Sequence, residues 1–372
     1  MKKRIMIALL GALIASSAMA EEARVAAISA APGNLTTLPA SIAGRVLKDP
    51  AKGYQYQWPG IYFDAAFEGK QVYFNVGPGN VILRVLVDSV EKAKLVKPAA
   101  GWYQVDGLNN TAHTIRVEVI SESQAGPNIF GGFALDNSGK VLPLSRRARQ
   151  IEFIGDSHTV SYGNTSASRD CSEEQVWATT DTSQGFGAIT ARHYGADYRV
   201  QAISGRGVVR NYNGFAADTL PAAYPYILFN KADRDTSPDW RPQLIVIALG
   251  TNDFSTPLNP GEKWKTREAL QADYVTGYVD FVRSLRAGNP DAYFILWATD
   301  GANGEIQAEV GKVVAKLKAG GEDRVHFMPV NKLTFGGCHW HPSVADDRTI
   351  ANGLTTFVDA HPELWTARKT SQ

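Results

Sequence analysis

The sequence has little cysteine, no excess of charge of either sign, and no long apolar run after its first twenty residues. Two cysteines in 372 residues exclude a disulfide-dense scaffold and a four-cysteine zinc site. The 38 basic and 37 acidic residues leave a formal net charge of +1, which offers nucleic acid or anionic lipid no electrostatic footprint. Hydrophobic residues at 44% and charged residues at 20% are typical of a folded chain, and the length suits two domains.

The first twenty residues predict a secretory signal peptide. A basic start at residues 2–4 precedes an apolar run at residues 5–15 and an Ala-Met-Ala cleavage site at residues 18–20. The alternative is an uncleaved anchor, although the run is short for a bilayer span. Cleavage leaves 35 basic against 37 acidic residues, a net charge of −2. We therefore expect an exported protein, periplasmic or secreted, without a membrane span.

Residues 25–144 have the alternation of β-strands. Residues 72–76 read Val-Tyr-Phe-Asn-Val and are followed by the turn sequence Gly-Pro-Gly-Asn. Residues 81–88 are largely apolar, and residues 113–121 alternate apolar and polar side chains. Period-two alternation punctuated by glycine, proline and asparagine predicts an antiparallel β-sandwich.

From residue 150 onward, short apolar strands alternate with helical stretches. Strands are predicted at residues 151–154, 198–203, 244–249 and 293–298. Apolar residues repeat every three to four positions over residues 270–285 and 306–317, and each stretch is followed by glycine. This order predicts a parallel sheet covered by helices on both faces, an α/β/α architecture. Ligands of such sheets bind beyond the carboxyl ends of the strands.

Three of those strand ends carry short polar blocks. Gly-Asp-Ser-His at residues 155–158 places Ser157 where a hydroxyl points into a cleft, although Asp156 or Ser157 also suits a helix cap. Ser-Gly-Arg-Gly at residues 204–207 offers the bare amide of Gly205, or simply a turn. Gly-Thr-Asn-Asp at residues 250–253 offers the amide of Asn252 to an oxyanion, or an Asx turn.

A fourth block near the end contains histidine. Gly-Gly-Cys-His-Trp-His-Pro at residues 336–342 supplies His341, which near a serine would act as general base and acid. One alternative is a metal site formed by Cys338, His339 and His341, and another is an ordinary exposed histidine. An oxidising compartment permits Cys171 and Cys338 to pair, since each lies in loop sequence, so we predict a disulfide. The alternative is two unrelated buried cysteines.

The four blocks, in this order, resemble the SGNH or GDSL-like hydrolase superfamily over about residues 151–358. The resemblance implies Ser157 as nucleophile, His341 as base, and an oxyanion hole formed by Ser157, Gly205 and Asn252. It implies neither a metal nor an organic cofactor. That superfamily usually has aspartate three positions before the histidine, where this chain has Cys338.

Carbohydrate esterase family two is more similar still. Its members often read Gly-Cys-x-x-His-Pro here, and residues 44–45, 58–60 and 67–69 look like its entry region. After the signal peptide predicted at residues 1–20, the resemblance implies a jelly-roll sandwich at 21–145 and an SGNH hydrolase domain at 146–372. It also implies a Ser–His dyad whose histidine is oriented by a main-chain carbonyl. We assign that carbonyl to Trp340, with His339 as the alternative, and expect the histidine pKa near its ordinary value of about 6.5.

The resemblance implies removal of acetyl groups from a polysaccharide such as xylan or glucomannan, through an acetyl-serine intermediate. Candidate substrate-binding residues are Trp340, Trp297 and Asp156, although most tryptophans are core residues. One rival is another SGNH esterase acting on peptidoglycan O-acetyl groups or lipids. A rival of another class is a non-catalytic carbohydrate-binding protein.

Overall fold

The computed structural model describes residues 23–366. The predicted signal peptide lies outside these residues. Two antiparallel sheets form a sandwich from β1 to β13, and a parallel sheet with helices follows from β14 onward. Among the described helices, none has the length and apolar character needed to cross a membrane.

The first sheet of the sandwich has the order β1-β10-β7-β12-β5-β4, with β2 paired to β12, and the second has the order β13-β6-β11-β8-β9, with β3 paired to β6. The strands are β1 Arg24–Ile28, β2 Thr36–Leu38, β3 Ser41–Ala43, β4 Leu47–Asp49, β5 Gly53–Tyr56, β6 Tyr62–Gly69, β7 Val72–Val76, β8 Ile82–Val87, β9 Val90–Val96, β10 Gly101–Asp106, β11 Thr111–Val119, β12 Asn128–Leu135 and β13 Lys140–Leu142. All of these pairings are antiparallel, as the alternation predicted.

Aromatic side chains fill the space between the two sheets. Phe63 of β6 stacks on Phe130 of β12 with ring centroids 4.2 Å apart, so the contact joins opposite sheets. Phe74 and Phe67 are likewise fully buried. Burying such large apolar surfaces is the main favourable term that holds a sandwich together.

The parallel sheet has the order β15-β14-β16-β17-β18. Its strands are β14 Gln150–Gly155, β15 Asp197–Ala202, β16 Leu244–Ala248, β17 Tyr293–Thr299 and β18 Val325–Val330. The helices are α1 Ser157–Val160, α2 Glu173–Thr179, α3 Phe186–His193, α4 Leu220–Ala223, α5 Thr251–Phe254, α6 Arg267–Gly288, α7 Glu305–Ala319 and α8 Val344–Ala360. The predicted α/β/α architecture and its first four strands are confirmed.

Alternate residues of each central strand serve the two faces of this sheet. Val246 of β16 belongs to the core shared with α3 and α8, whereas Ile247 belongs to the core shared with α6 and α7. Strand β18 was not predicted. It lies at the sheet edge, contains Pro329 and is only partly buried, so it lacks the continuous apolar run of a central parallel strand.

The sandwich packs against the α/β part through buried polar contacts. Nε1 of Trp58, whose side chain is fully buried, donates to the carbonyl of Tyr226 at 3.0 Å. Nε of Arg45 lies 2.9 Å from Asp235, and both side chains are largely buried. Such buried pairs leave an uncompensated charge if one partner is removed. The contacts therefore specify how the sandwich sits on the α/β part.

Candidate active site

Ser157 lies where the interior strand β14 ends and the short helix α1 begins. Asp156 caps this helix, because its Oδ1 accepts the His158 N–H at 3.0 Å. A Cβ on Gly155 would lie 2.8 Å from the carbonyl oxygen of Ala248, so only glycine fits between β14 and β16. This sharp turn presents the Ser157 hydroxyl at the carboxyl edge of the sheet.

The Ser157 hydroxyl meets His341, which is 184 residues away in the sequence. Oγ of Ser157 lies 2.9 Å from Nε2 of His341. Nδ1 of His341 lies 2.9 Å from the carbonyl oxygen of Cys338 and 3.2 Å from that of His339. Since carbonyls only accept, Nδ1 must carry the proton, and Nε2 is free to accept the serine proton.

The assignment of the orienting carbonyl to Trp340 is therefore wrong. His339 and Trp340 both adopt left-handed backbone conformations, with φ of 50° and 61°. This tight turn directs the Cys338 and His339 carbonyls toward the imidazole. The alternative residue, His339, does contribute, although Cys338 provides the shorter contact.

Within the described part of the chain, no carboxylate bonds Nδ1 of His341 to make the Ser–His pair a triad. Asp346 and Asp347, the nearest downstream acids in the sequence, both accept hydrogen bonds from other groups. Oδ2 of Asp346 accepts from the Ser343 N–H at 2.9 Å in a capping box at the start of α8. Asp347 is fully buried and accepts from the Phe186 N–H at 3.1 Å and from Asn164 at 3.0 Å. Burial raises the pKa of Asp347 to about 8. The geometry is that of a Ser–His dyad.

The dyad assignment gives a prediction for these two aspartates. Asp346→Asn and Asp347→Asn should each change kcat by less than about tenfold, while lowering the melting temperature through lost helix-start and loop contacts. Kinetics on an activated acetate ester and thermal unfolding measure the two effects separately. A kcat loss on the order of 10⁴ in one variant, the effect of disabling a triad aspartate, would show that the dyad is wrong.

Aromatic rings enclose the His341 imidazole. The Tyr162 ring centroid lies 4.3 Å away, and the His158 ring meets His341 edge to face at 5.6 Å. Burial lowers the pKa of His341 to about 4, although its two carbonyl contacts favour the charged form. Burial also lowers the pKa of His158 to about 3, so that ring is neutral beside the base.

The low pKa of His341, the general base, determines how we expect activity to depend on pH. General-base catalysis needs neutral His341, so kcat/KM should rise through about pH 4 and remain level at neutral pH, instead of rising near 6.5 as the sequence indicated. Burial raises the pKa of Asp156 to about 7, but its carboxyl faces Asn252 rather than His341. Initial rates on an activated acetate measure the profile. A midpoint above 6 that persists in Asp156→Asn would contradict this prediction.

The Gly205 and Asn252 blocks converge on Ser157 from the neighbouring strands. Gly205 follows β15 and has φ of +82°, a conformation that favours glycine. The Asn252 side chain lies on α5 and donates to Asp156 at 3.1 Å and to the Arg206 carbonyl at 2.9 Å. Within the described residues, the N–H groups of Ser157 and Gly205 donate to no protein acceptor. The site thus has two unused backbone donors beside one side-chain amide.

Sequence reasoning missed the residue that holds the Gly205 loop. The Asp253 carboxylate is fully buried and accepts the N–H groups of Val208, Val209 and Arg210 at 2.9–3.0 Å. Asp253 immediately follows Asn252, so α5 supplies both the side-chain amide and the anchor of the neighbouring loop. An acidic residue next to the asparagine was the available signal.

The predicted disulfide is present between Cys171 and Cys338. Around it, the His339 N–H donates to the Arg169 carbonyl at 2.7 Å, and Nε2 of His339 lies 2.7 Å from the Cys171 carbonyl. The histidine loop is thereby tied to the segment that follows Ser157. Because the Cys338 sulfur is in the disulfide, it offers no thiolate to the alternative metal site.

Removal of this disulfide should weaken both stability and activity. The bond joins residues 167 apart, which corresponds to about 5 kcal/mol in the chain-entropy treatment. We expect Cys171→Ser/Cys338→Ser to melt at lower temperature and to have lower kcat, because the carbonyls that orient His341 lie in the released loop. Thermal unfolding and kinetics check this, with Ser284→Ala, an exposed position of helix α6, as a control. A double variant with unchanged kcat would show that the tie is not needed for activity.

The three predicted substrate-binding residues differ in their exposure and contacts in the structure. Trp340 is 66% exposed beside the dyad, and the Arg169 guanidinium lies 4.0 Å from its ring centroid. Trp297 is only 2% exposed and packs edge to face on Phe186, so its assignment is wrong. Asp156 is 1% exposed and both of its oxygens accept protein hydrogen bonds, so that assignment is also wrong. Trp297 is a core residue of β17, and Asp156 is a helix cap.

A large cavity elsewhere does not include the dyad. Its volume is about 620 Å³, and Arg45, Glu152 and Trp240 are among its lining residues. Glu152 lies near the amino end of β14, whereas Ser157 follows its carboxyl end. The chemistry of the dyad and the position of the strand ends, rather than cavity size, identify the site.

The two parts of the fold each match a known protein family. Residues 42–144 match the carbohydrate esterase 2 N-terminal family, and residues 153–363 match the GDSL-like lipase/acylhydrolase family. The chain belongs to carbohydrate esterase family two. The resemblance inferred from the four blocks is thereby confirmed, and the protein is a carbohydrate esterase with a GDSL-like hydrolase part.

Relatives of this esterase include proteins of assigned activity and solved structure. An acetylxylan esterase/glucomannan deacetylase from Cellvibrio japonicus is 45% identical over 98% of this chain and 100% of its own length. A solved carbohydrate esterase, described as having divergent catalytic and non-catalytic binding functions at its active site, is 46% identical over 89% of this chain and all of that chain, with a TM-score of 0.85. A family-two esterase from Clostridium thermocellum, solved with cellohexaose, is 27% identical over 88% of this chain and all of that chain, with a TM-score of 0.77.

Proposed function

We propose that this esterase is exported and removes O-acetyl groups from polysaccharides or oligosaccharides of the xylan or glucomannan type. The observation that carries the proposal is the 2.9 Å contact between Ser157 Oγ and His341 Nε2, with Nδ1 held by carbonyls. The substrate class follows from the activity assigned to the Cellvibrio relative. The basic and apolar start of the sequence and the disulfide support export.

In the proposed mechanism, an acetyl group passes through the serine. His341 Nε2 takes the Ser157 proton as Oγ attacks the acetyl carbonyl carbon, and the carbonyl electron pair moves to oxygen. The imidazolium returns its proton to the sugar oxygen as the carbon–oxygen bond breaks, which releases the sugar hydroxyl and leaves acetyl-Ser157. Water then attacks in the same way, with His341 as base, and acetate departs. The cycle restores both residues.

The oxyanion of each tetrahedral intermediate needs donors. We assign the free N–H groups of Ser157 and Gly205 to it, together with the Asn252 amide. Asn252 donates to Asp156 and Arg206 in the described structure, so one of these bonds is shared or exchanged when the oxyanion forms. Asp253 acts through the loop rather than on the substrate, since it holds the three N–H groups that follow Gly207.

The deciding experiment is acetate release from a panel of substrates. We expect release from acetylated xylan or glucomannan and from p-nitrophenyl acetate, little from a long-chain ester, and little from O-acetylated peptidoglycan. Strong preference for peptidoglycan or for the long-chain ester would replace the polysaccharide assignment with one of the rival esterase functions. Inactivity on the whole panel would contradict the proposal.

Non-catalytic carbohydrate binding is the second candidate. A family-two relative was solved in complex with cellohexaose, so sugar binding apart from hydrolysis is a function to test in this protein. Exposed Trp340 beside the dyad is the residue that supports it here, since sugar faces pack on aromatic rings. Calorimetric titration of Ser157→Ala with unacetylated oligosaccharides measures binding apart from turnover. Binding by a protein that never releases acetate would favour this second function.

A further inference from the structure

A cavity of about 410 Å³ lies where a sandwich loop meets a helix of the α/β part. The turn between β7 and β8 and the loop between β11 and β12 line it from the sandwich side. Trp177 of α2 lines it from the other side. The cavity residues are Gly79, Asn80, the segment 122–128 and Trp177. Neither part of the protein forms this cavity alone.

The sandwich loop that lines the cavity is hydrogen-bonded to Ser204, the residue before Gly205. Oε1 of Glu122 accepts the Ser204 N–H at 2.8 Å, and Nε2 of Gln124 donates to the Ser204 carbonyl at 3.3 Å. Ser204 immediately precedes Gly205, whose N–H is one of the two unused backbone donors. The sandwich loop that forms the cavity wall therefore also holds the residue before the oxyanion site.

Trp177 provides an aromatic platform held by a rigid support. Its helix α2 begins with a capping box in which Ser172 and Gln175 bond each other's backbone N–H groups. The helix follows directly after Cys171, which is disulfide-bonded to the histidine loop. Nζ of Lys97 lies 4.8 Å from the Trp177 ring centroid and supports the ring from the sandwich. The indole is thus held in place relative to His341.

The polar groups of the cavity suit a neutral, hydroxyl-rich ligand. Its amide and hydroxyl side chains belong to Asn80, Ser123, Gln124 and Asn128. Asn128 is 2% exposed, and its Nδ2 has no hydrogen-bond partner in the described part of the chain, which leaves a costly unpaired donor in the wall. The Glu122 carboxylate already accepts from Ser204 and Gln124. No cationic side chain is among the residues that line the cavity, although Lys97 packs on the Trp177 ring.

We propose that this cavity is an accessory subsite that binds one neutral sugar ring of the substrate, stacked on Trp177 and bonded by the amides of the sandwich loop. The proposal rests on the proposed function, since the ring belongs to the same chain as the acetylated sugar at Ser157. It gives the sandwich a direct role in substrate binding. A ring held away from the reacting ester contributes equally to the ground state and the transition state, so the subsite lowers KM without changing kcat.

The test compares Trp177→Ala and Trp177→Phe with Trp102→Ala, which removes a tryptophan of β10 outside the cavity. The probes are acetylated xylo-oligosaccharides of increasing length and p-nitrophenyl acetate. We expect Trp177→Ala to raise KM for the longer oligosaccharides about 3- to 10-fold with unchanged kcat, in line with the loss of one aromatic contact. Trp177→Phe should retain most of the affinity. All three variants should hydrolyse p-nitrophenyl acetate like the parent.

The outcomes separate this inference from the proposed function. If the parent releases acetate and Trp177→Ala has the parent's KM at every length, the subsite is wrong while the esterase assignment stands. If the parent releases no acetate, the proposed function fails, and the subsite is then judged by calorimetric titration of Ser157→Ala with xylohexaose. Equal affinity in Ser157→Ala and Ser157→Ala/Trp177→Ala would overturn the subsite. A several-fold weaker affinity in the double variant would support it.

Discussion

Ser157→Ala should lose acetate release by a factor on the order of 10⁶, the effect of removing a serine nucleophile. The variant keeps the Asp156 cap and the Gly155 turn, so its melting temperature should stay close to that of the parent. The reason is chemical: without Oγ no acetyl-enzyme forms, and His341 Nε2 loses its 2.9 Å partner. Acetate measured by a coupled assay gives the result directly.

A suitable control is Ser284→Ala, since Ser284 is an exposed serine of helix α6. It should leave turnover unchanged. Mass spectrometry of the parent after rapid quenching should also show an acetyl group on the Ser157 peptide, and no such adduct in Ser157→Ala. Turnover in Ser157→Ala within tenfold of the parent would show that Ser157 is not the nucleophile.

Asn252→Ala should lower kcat by about 10²- to 10³-fold, the usual loss for one oxyanion donor. The side-chain amide also donates to Asp156 and to the Arg206 carbonyl, so the variant loses the bond between the Ser157 turn and the Gly205 loop as well. The fall should appear in kcat rather than in KM, because the donor acts on charge that develops only in the transition state.

Asn352→Ala is a matched control, since Asn352 is an exposed asparagine of helix α8. Its kcat should be that of the parent. A large rise in KM with unchanged kcat in Asn252→Ala would mean that Asn252 only holds substrate. Thermal unfolding should accompany the kinetics. If Asn252→Ala melts far below the parent, the loss of kcat would come from disruption of the Gly205 loop rather than from a missing oxyanion donor.

The proposed nucleophile, the proposed base and the three oxyanion candidates could be named from the sequence, because each occupies a short block at a strand end or in a late loop. Parallel strands bring their carboxyl ends to one edge, so residues 157, 205 and 252 had to be neighbours once β14, β15 and β16 were identified. The pairing of Cys171 with Cys338 was likewise predictable, since the chain has no other cysteine.

Other features depended on contacts that no local pattern encodes. Trp297 and Trp340 are both tryptophans of the α/β part, but Trp297 is buried against Phe186 and Trp340 is 66% exposed. The Asp253 anchor and the Trp177 cavity each join segments far apart in the chain, so periodicity within one segment says nothing about them.

By itself, the sequence determined the two-part α/β and sandwich architecture, the family, and the serine and histidine that the fold brings into contact, because periodicity and short motifs are local properties of the chain. Only the tertiary structure decided which atoms orient His341 and how strongly its surroundings favour the neutral ring. Two left-handed residues turn the Cys338 and His339 carbonyls inward, and burial lowers the pKa of His341 to about 4. Backbone direction in a short loop and the polarity around a ring arise from packing, and packing exists only in the folded chain.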